Sequence, residues 1–231
     1  MRIRSITSFY DPLSPRADDH LETLASFSRL FHDAITGQVM PVLSKRLATT
    51  PFPLFLADLE ETGRVERVTA LSKQAREMGW DYLSIGPALP DHLWSYPAIP
   101  GFLGIAEDLF CSAVVADKTR FHPSAVRASA QIIKDATLLR NDGFANLRFA
   151  ALANVPAGTP FFPAAYHKPG GRPAISLAME CADVALSAFD SATDVDSARR
   201  HLLNELEEAA RQITAVFKSL PESSEIDFLG F

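Results

Sequence analysis

Two periods of hydrophobic and polar residues alternate along this chain. Arg2–Tyr10 sets Ile3, Ile6 and Phe9 against Arg2, Arg4 and Ser8 and predicts a first strand, stopped by Asp11-Pro12 and Ser14-Pro15. Arg16–Ile35 then places Leu21, Leu24, Phe27, Leu30, Phe31, Ala34 and Ile35 at three- and four-residue spacing, which predicts a helix. The same switch recurs. Val39–Thr49 reads as a second strand and Asp58–Gly79 as a helix with Val65, Val68, Leu71 and Ala75 inward. Trp80–Ile85 reads as a third strand, and Pro90–Gly104 as an irregular aromatic segment. Leu109–Ala116 predicts a buried strand. Pro123 opens a helix whose inner face is Val126, Ala130, Ile133 and Ala136. Leu147–Val155 and Ala174–Met179 are continuous apolar runs of strand length. Helices over Cys181–Phe189 and Asp196–Leu220 and a strand over Ile226–Phe231 complete the pattern.

Strands that alternate with helical stretches need crossover connections, so the expected class is α/β with a mostly parallel sheet. The six strands beginning at Arg2, Val39, Trp80, Leu109, Leu147 and Ala174 are expected to share it. No linker rich in Ser, Gly or charge divides residues 1–231, and one domain is expected.

Composition narrows the function classes. A formal net charge of −6 with interspersed signs carries no basic nucleic-acid footprint and no polybasic membrane patch. No apolar run approaches the ~20 residues that span a bilayer. MRIRSITSFYDP turns polar too early for a secretory signal. The two cysteines, Cys111 and Cys181, lie in apolar runs and suit reduced packing residues. The expected location is cytoplasmic.

Candidate chemistry gathers after the run Leu147–Val155. A Pro/Gly-rich loop there carries Asn154, Tyr166, His167, Lys168 and Gly170-Gly171, and the next run ends in Glu180. Polar groups placed where buried strands stop are the usual composition of an α/β site. His167 suits an acid/base role because imidazole titrates near neutrality; the alternative is a histidine bonded to backbone in a tight loop. Tyr166 would orient a substrate. Asn154 would hold a carbonyl or cap a turn. Glu180 would couple to His167 or serve as the first-turn acid of the next helix. Arg2 and Arg4 share one face of the first strand, where Arg4 would bind an anion or be ion-paired. No P-loop, GxGxxG, zincin, CxxC or GxSxG pattern is present, so the residues assign neither metal nor cofactor.

MRIRSIT, LRFAALANV, GTPFFPAAYH and IDFLGF together resemble an uncharacterised family, DUF711 or UPF0210, over nearly the whole chain. The resemblance implies a fold like the ten-stranded α/β barrel of pyruvate formate-lyase-like glycyl radical enzymes, in proteins of greater length. This chain would then be the N-terminal half of a larger barrel, with Arg4 facing its interior. Radical chemistry is not expected. Cys111 lies inside a buried strand, and Gly230 lacks the pattern around a radical-bearing glycine. Two functions follow. One is an enzyme acting on a small polar metabolite, with Arg4, Asn154 and His167 converging on one pocket. The other is a half-domain completed by a complementary C-terminal chain or second subunit. The strand-like EIDFLGF, where the sequence given stops, motivates the second.

Overall fold

A computed structural model describes residues 1–231. Seven strands form one mixed sheet: β1 (Arg2–Tyr10), β2 (Lys45–Thr49), β3 (Tyr82–Ala88), β4 (Leu109–Ala116), β5 (Phe149–Ala153), β6 (Ala174–Glu180) and β7 (Asp227–Phe228). Seven α-helices accompany them: α1 (Ala17–Gln38), α2 (Phe52–Leu56), α3 (Glu61–Glu77), α4 (Ser95–Leu103), α5 (Pro123–Thr137), α6 (Ala182–Asp190) and α7 (Val195–Ser219). The strand order is β5-β4-β3-β2-β1-β6-β7. Strands β1 to β5 run parallel, each pair joined by a helical crossover. The sheet does not close: β5 and β7 are its edges. None of the helices is long and apolar enough to cross a membrane.

The sheet is mostly parallel, as expected, with one reversal of direction. β6 pairs antiparallel to β1, from Arg2↔Glu180 to Phe9↔Ala174, and β7 runs parallel to β6. The reason is the connection. Residues 154–173 leave β5 at one side and cross to the far side of β1 without a helix, so β6 is free to run the other way. Three further expectations shift. The second strand is confined to Lys45–Thr49, preceded by a single bridge between Ile3 and Val42. The strand expected from Leu147 begins at Phe149, after a 3-10 turn over Phe144–Arg148. The aromatic segment around Trp94 contains α4, which accommodates Pro97 in its first turn and Pro100 near its end.

The helices pack on one face of the sheet. Ile3 and Ile6 of β1, Leu47 of β2, Leu83 and Ile85 of β3, Cys111 of β4 and Leu177 of β6 meet them in one core of 36 buried residues. Phe27, Phe31 and Phe217 join α1 to α7 through edge-on ring contacts, with centroids 5.0 Å apart for Phe27–Phe217 and 5.6 Å for Phe31–Phe217. Helix α5 turns a different stripe inward from the one its sequence suggests. Ala125, Ser129, Ile132 and Ala136 are buried, while Val126 and Ile133 are exposed. Small residues on that stripe let α5 sit close to α4 and β4.

The opposite face carries no helix. Residues 154–173 lie across it, from Asn154 beside Ala116 at the end of β4 to His167 beside Thr49 at the end of β2, with Phe162 reaching Arg46 and Phe110 on the way. A buried connection must satisfy its backbone carbonyls, and hydroxyls rising from the sheet do so. Thr7 Oγ1 donates to the Pro160 carbonyl at 3.0 Å, Ser84 Oγ to Ala165 at 2.9 Å and Ser176 Oγ to Gly158 at 3.1 Å. Phe9, Ala48, Ala165 and Ala174 form a small second core beneath the loop, with Phe162 against it.

Candidate active site

The site is built from the end of β1 outward. Asp11 follows the strand and is only 6% exposed. Its Oδ1 accepts from the Leu13 N–H at 3.0 Å and from Thr50 Oγ1 at 3.4 Å, and its Oδ2 accepts from the Gly170 N–H at 2.8 Å. One carboxylate therefore ties together the ends of β1 and β2 and the turn Lys168–Gly171. That turn has Pro169 second and Gly170, at φ +69°, third, with Gly171 N–H donating to the Lys168 carbonyl at 3.0 Å, the arrangement of a type II turn.

His167 precedes this turn. Its N–H donates to the Thr49 carbonyl at 2.8 Å, and its ring lies 6.0 Å from the ring of Phe9. The residue is 4% exposed and its Nε2 makes no hydrogen bond of normal geometry, although the backbone of Gly171 and Arg172 lies close enough to the ring to act on its pKa against the effect of burial. Gly171 lies flat against that edge. A Cβ there would stand 2.8 Å from Cε1 and 2.9 Å from Nε2. Burial pushes the imidazole below its usual pKa, which keeps it neutral at pH 7.

Beyond Gly171 opens a cleft of about 320 Å³, lined by Asp11, Ser14, Arg16, His20, Gly171 and Arg172 among others, with Leu13 its one hydrophobic lining residue. His20 Nδ1 and Ser14 Oγ share a hydrogen bond of 3.2 Å. Burial, and then Arg16, hold the His20 pKa below the usual range. Arg172 is anchored by Asp227 at 3.0 Å and by the Ser224 carbonyl at 2.7 Å. The cleft sits at the C-terminal end of β1, beside the one position where pairing changes from parallel to antiparallel. In α/β folds, ligands bind at such strand ends.

The structure separates the residues expected to converge. Arg4 and Glu180 lie near the other end of β1, and Arg4 to Phe9 is about 16 Å of extended chain. Glu180 accepts from Arg2 at 2.8 and 3.0 Å, with Arg4 at 3.6 Å, and the hydrogen bond from Arg2 lowers its pKa. It pairs with these arginines rather than with His167. Asn154 is exposed at φ +55°, a turn conformation that asparagine tolerates. The Tyr166 hydroxyl donates to the Val155 carbonyl at 2.8 Å and closes the loop on itself. Asp11, Arg16 and Arg172 were not singled out from the sequence. The available signal was Asp11 itself, an acidic residue directly after a strand, although Asp-Pro reads first as a turn. No group of three or more His, Cys, Asp and Glu side chains is placed to hold a metal.

Comparison with known proteins places the chain among relatives. The family described as "Uncharacterised ACR (DUF711)" matches residues 1–230. A UPF0210 protein of Methanopyrus kandleri is 32% identical over 189 residues, covering 77% of this chain and 41% of its own length. UPF0210 proteins of Clostridium perfringens and Bifidobacterium longum are 24% and 29% identical over 168 and 170 residues, which is 70% and 68% of this chain and 36% and 37% of theirs. The aligned part of the chain spans less than half the length of these curated relatives. With residues 1–230 matched, the chain belongs to the DUF711 family of UPF0210 proteins.

Proposed function

We propose that this chain carries the binding site of an enzyme that takes a small polar, anionic metabolite into the cleft at the end of β1, with His167 as its acid/base group. The observation that carries the reading is His167 Nε2, buried and without a partner, directly behind the Gly171 wall of a polar cleft. A buried polar atom left unsatisfied is costly, and a functional site is a common reason for one. Arg16, and Arg172 beside its partner Asp227, are the cationic groups that would meet a carboxylate or phosphate, in a cleft that also holds Asp11 and Glu225. The Lys168–Gly171 turn, held by Asp11, is the element that would move to bring Nε2 to a ligand. The neutral imidazole then accepts a proton at Nε2 or holds one there. Cys111 has no part in this. It is fully buried in the helix-side core, and burial pushes its thiol pKa up.

A thermal-shift panel of small carboxylates and phosphates tests the reading. A ligand at one hundred times its Kd adds about 2.7 kcal/mol of apparent stability, which is roughly 5–10 °C at about 2–4 °C per kcal/mol. His167→Ala is expected to fold and to lose that shift. A variant that loses stability but keeps every ligand shift would overturn the role given to His167.

A second reading rests on the open sheet. Strands β5 and β7 leave two edges, and an apolar groove of about 350 Å³ runs between Met1, Met179, Leu203, Leu206, Ala210 and Phe231. Unpaired edges and apolar patches favour association. The relatives' greater length supports one occupant in this reading, a polypeptide supplying further strands. Light scattering on the isolated chain decides. A clean monomer at high concentration, with no affinity for a co-expressed C-terminal chain of a relative, would remove this reading.

A further inference from the structure

We infer that the helix-free face carries a second, separate site, in which Arg46 and Arg4 bind the carboxylate or phosphate of a small ligand whose flat apolar body lies against Tyr82, Phe110 and Phe162. The site lies at the margin of the 154–173 loop, which contributes Phe161 and Phe162 to it, near the N-terminal ends of β2, β3 and β4. The groove there has a volume of about 400 Å³ and is floored by the small side chain of Ala178. That volume suits a small-molecule pocket.

Arg46 is the centre of the argument. Its guanidinium is half-buried, and its one hydrogen bond within the chain is from Nε to Ser44 Oγ at 3.1 Å. No carboxylate pairs with it. Asp81, the nearest acid by charge effect, is occupied as an acceptor by the Lys45 N–H at 2.7 Å. Burial first, and then the like charge of Arg4, lower the Arg46 pKa. Two arginines held near one another without an intervening carboxylate form an unfavourable arrangement that an anion relieves. Glu180 does not fill that role. It is bidentate to Arg2, reaches Arg4 only at 3.6 Å and makes no ion pair with Arg46.

The aromatic walls are fixed in advance. Arg46 Cζ lies 5.2 Å from the Phe162 ring centroid and 5.6 Å from that of Tyr82. Phe110 packs edge-on against both rings, with centroids 5.3 Å from Phe162 and 5.5 Å from Tyr82. These cation–π contacts help hold the guanidinium in place while its Nη donors stay free, which suits capture of an oxyanion. Phe161, 57% exposed, stands at the groove's rim.

Titration calorimetry of the full chain with four probes tests the site: phenyl phosphate, benzoate, inorganic phosphate and benzyl alcohol. At least one ring-bearing anion is expected to bind saturably, and about tenfold or more tighter than either inorganic phosphate or benzyl alcohol. Arg46→Gln is expected to weaken it by about tenfold or more. Arg4→Gln, at a more exposed position, gives the same direction if the first variant folds poorly. His167→Ala should leave this binding unchanged, which separates it from the cleft at the other end of β1. Equal affinity for inorganic phosphate, indifference to both arginine variants, or no saturable binding of either ring anion would each overturn the inference.

Discussion

Gly171→Ala measures directly how His167 is held. The backbone at Gly171 is not in the left-handed region, so alanine carries no φ penalty there. The conflict is steric. The new methyl would stand 2.8 Å from His167 Cε1, 2.9 Å from Nε2 and 2.9 Å from the Lys168 carbonyl oxygen, where carbon contacts prefer about 3.5–4.0 Å. Ring and turn must both give way, and overpacking of this kind costs about 1–3 kcal/mol. For a chain of this size that is roughly 2–12 °C of Tm at about 2–4 °C per kcal/mol. Urea unfolding followed by circular dichroism, repeated in the His167→Ala background, gives the coupling. Without the imidazole only the Lys168 contact remains, so at least about 1 kcal/mol of the loss should disappear. A Gly171→Ala chain within about 0.5 kcal/mol of the parent, or losses that simply add, would refute the packing of Gly171 on the ring.

Three further outcomes are expected. Thr7→Val keeps the shape but strands the buried Pro160 carbonyl, and should cost about 1–3 kcal/mol and speed proteolysis within residues 154–173. Arg148, 8% exposed, donates through Nη1 to the carbonyls of Leu103, Ala106 and Leu109 at 2.8, 2.6 and 3.4 Å; Arg148→Met should cost about 3 kcal/mol or more in urea unfolding. The folded-state pKa of His167 lies below its unfolded value of about 6.5. The unfolded chain therefore binds the proton first, and the stability tied to the neutral ring is complete above about pH 6.5 and declines as pH falls toward the folded pKa. Unfolding free energies from pH 7.5 to 5 should fall more steeply for the parent than for His167→Ala, and parallel curves would contradict this.

The alternation of strands and helices was legible because each element carries its own apolar period, and the single-faced helix layer follows from crossovers in a parallel sheet. The direction of β6 was not legible, since the connection that sets it holds no periodic signal. α4 was hidden by Pro97, Pro100 and Gly101, residues that lower helix propensity but are tolerated near helix ends. In α5 two overlapping stripes compete, and close packing against α4 chose the one with smaller residues. His167 could be picked out because it follows a buried run in a Pro/Gly-rich loop. The role of Asp11 could not, because its contact is with Gly170, far along the chain. Arg46 looked like an ordinary strand residue; only the absence of helices from its face gives it a groove to line.

The central claim is that the cleft at the end of β1 takes a small anion in reach of His167. A crystal structure soaked with whichever carboxylate or phosphate stabilises the chain most in the thermal-shift panel tests it most directly. The account predicts the ligand between Arg16 and Arg172, with the Lys168–Gly171 turn shifted and a ligand atom within about 3.2 Å of His167 Nε2. A stabilising ligand bound elsewhere, with the cleft empty and Nε2 still sealed behind Gly171, would contradict it.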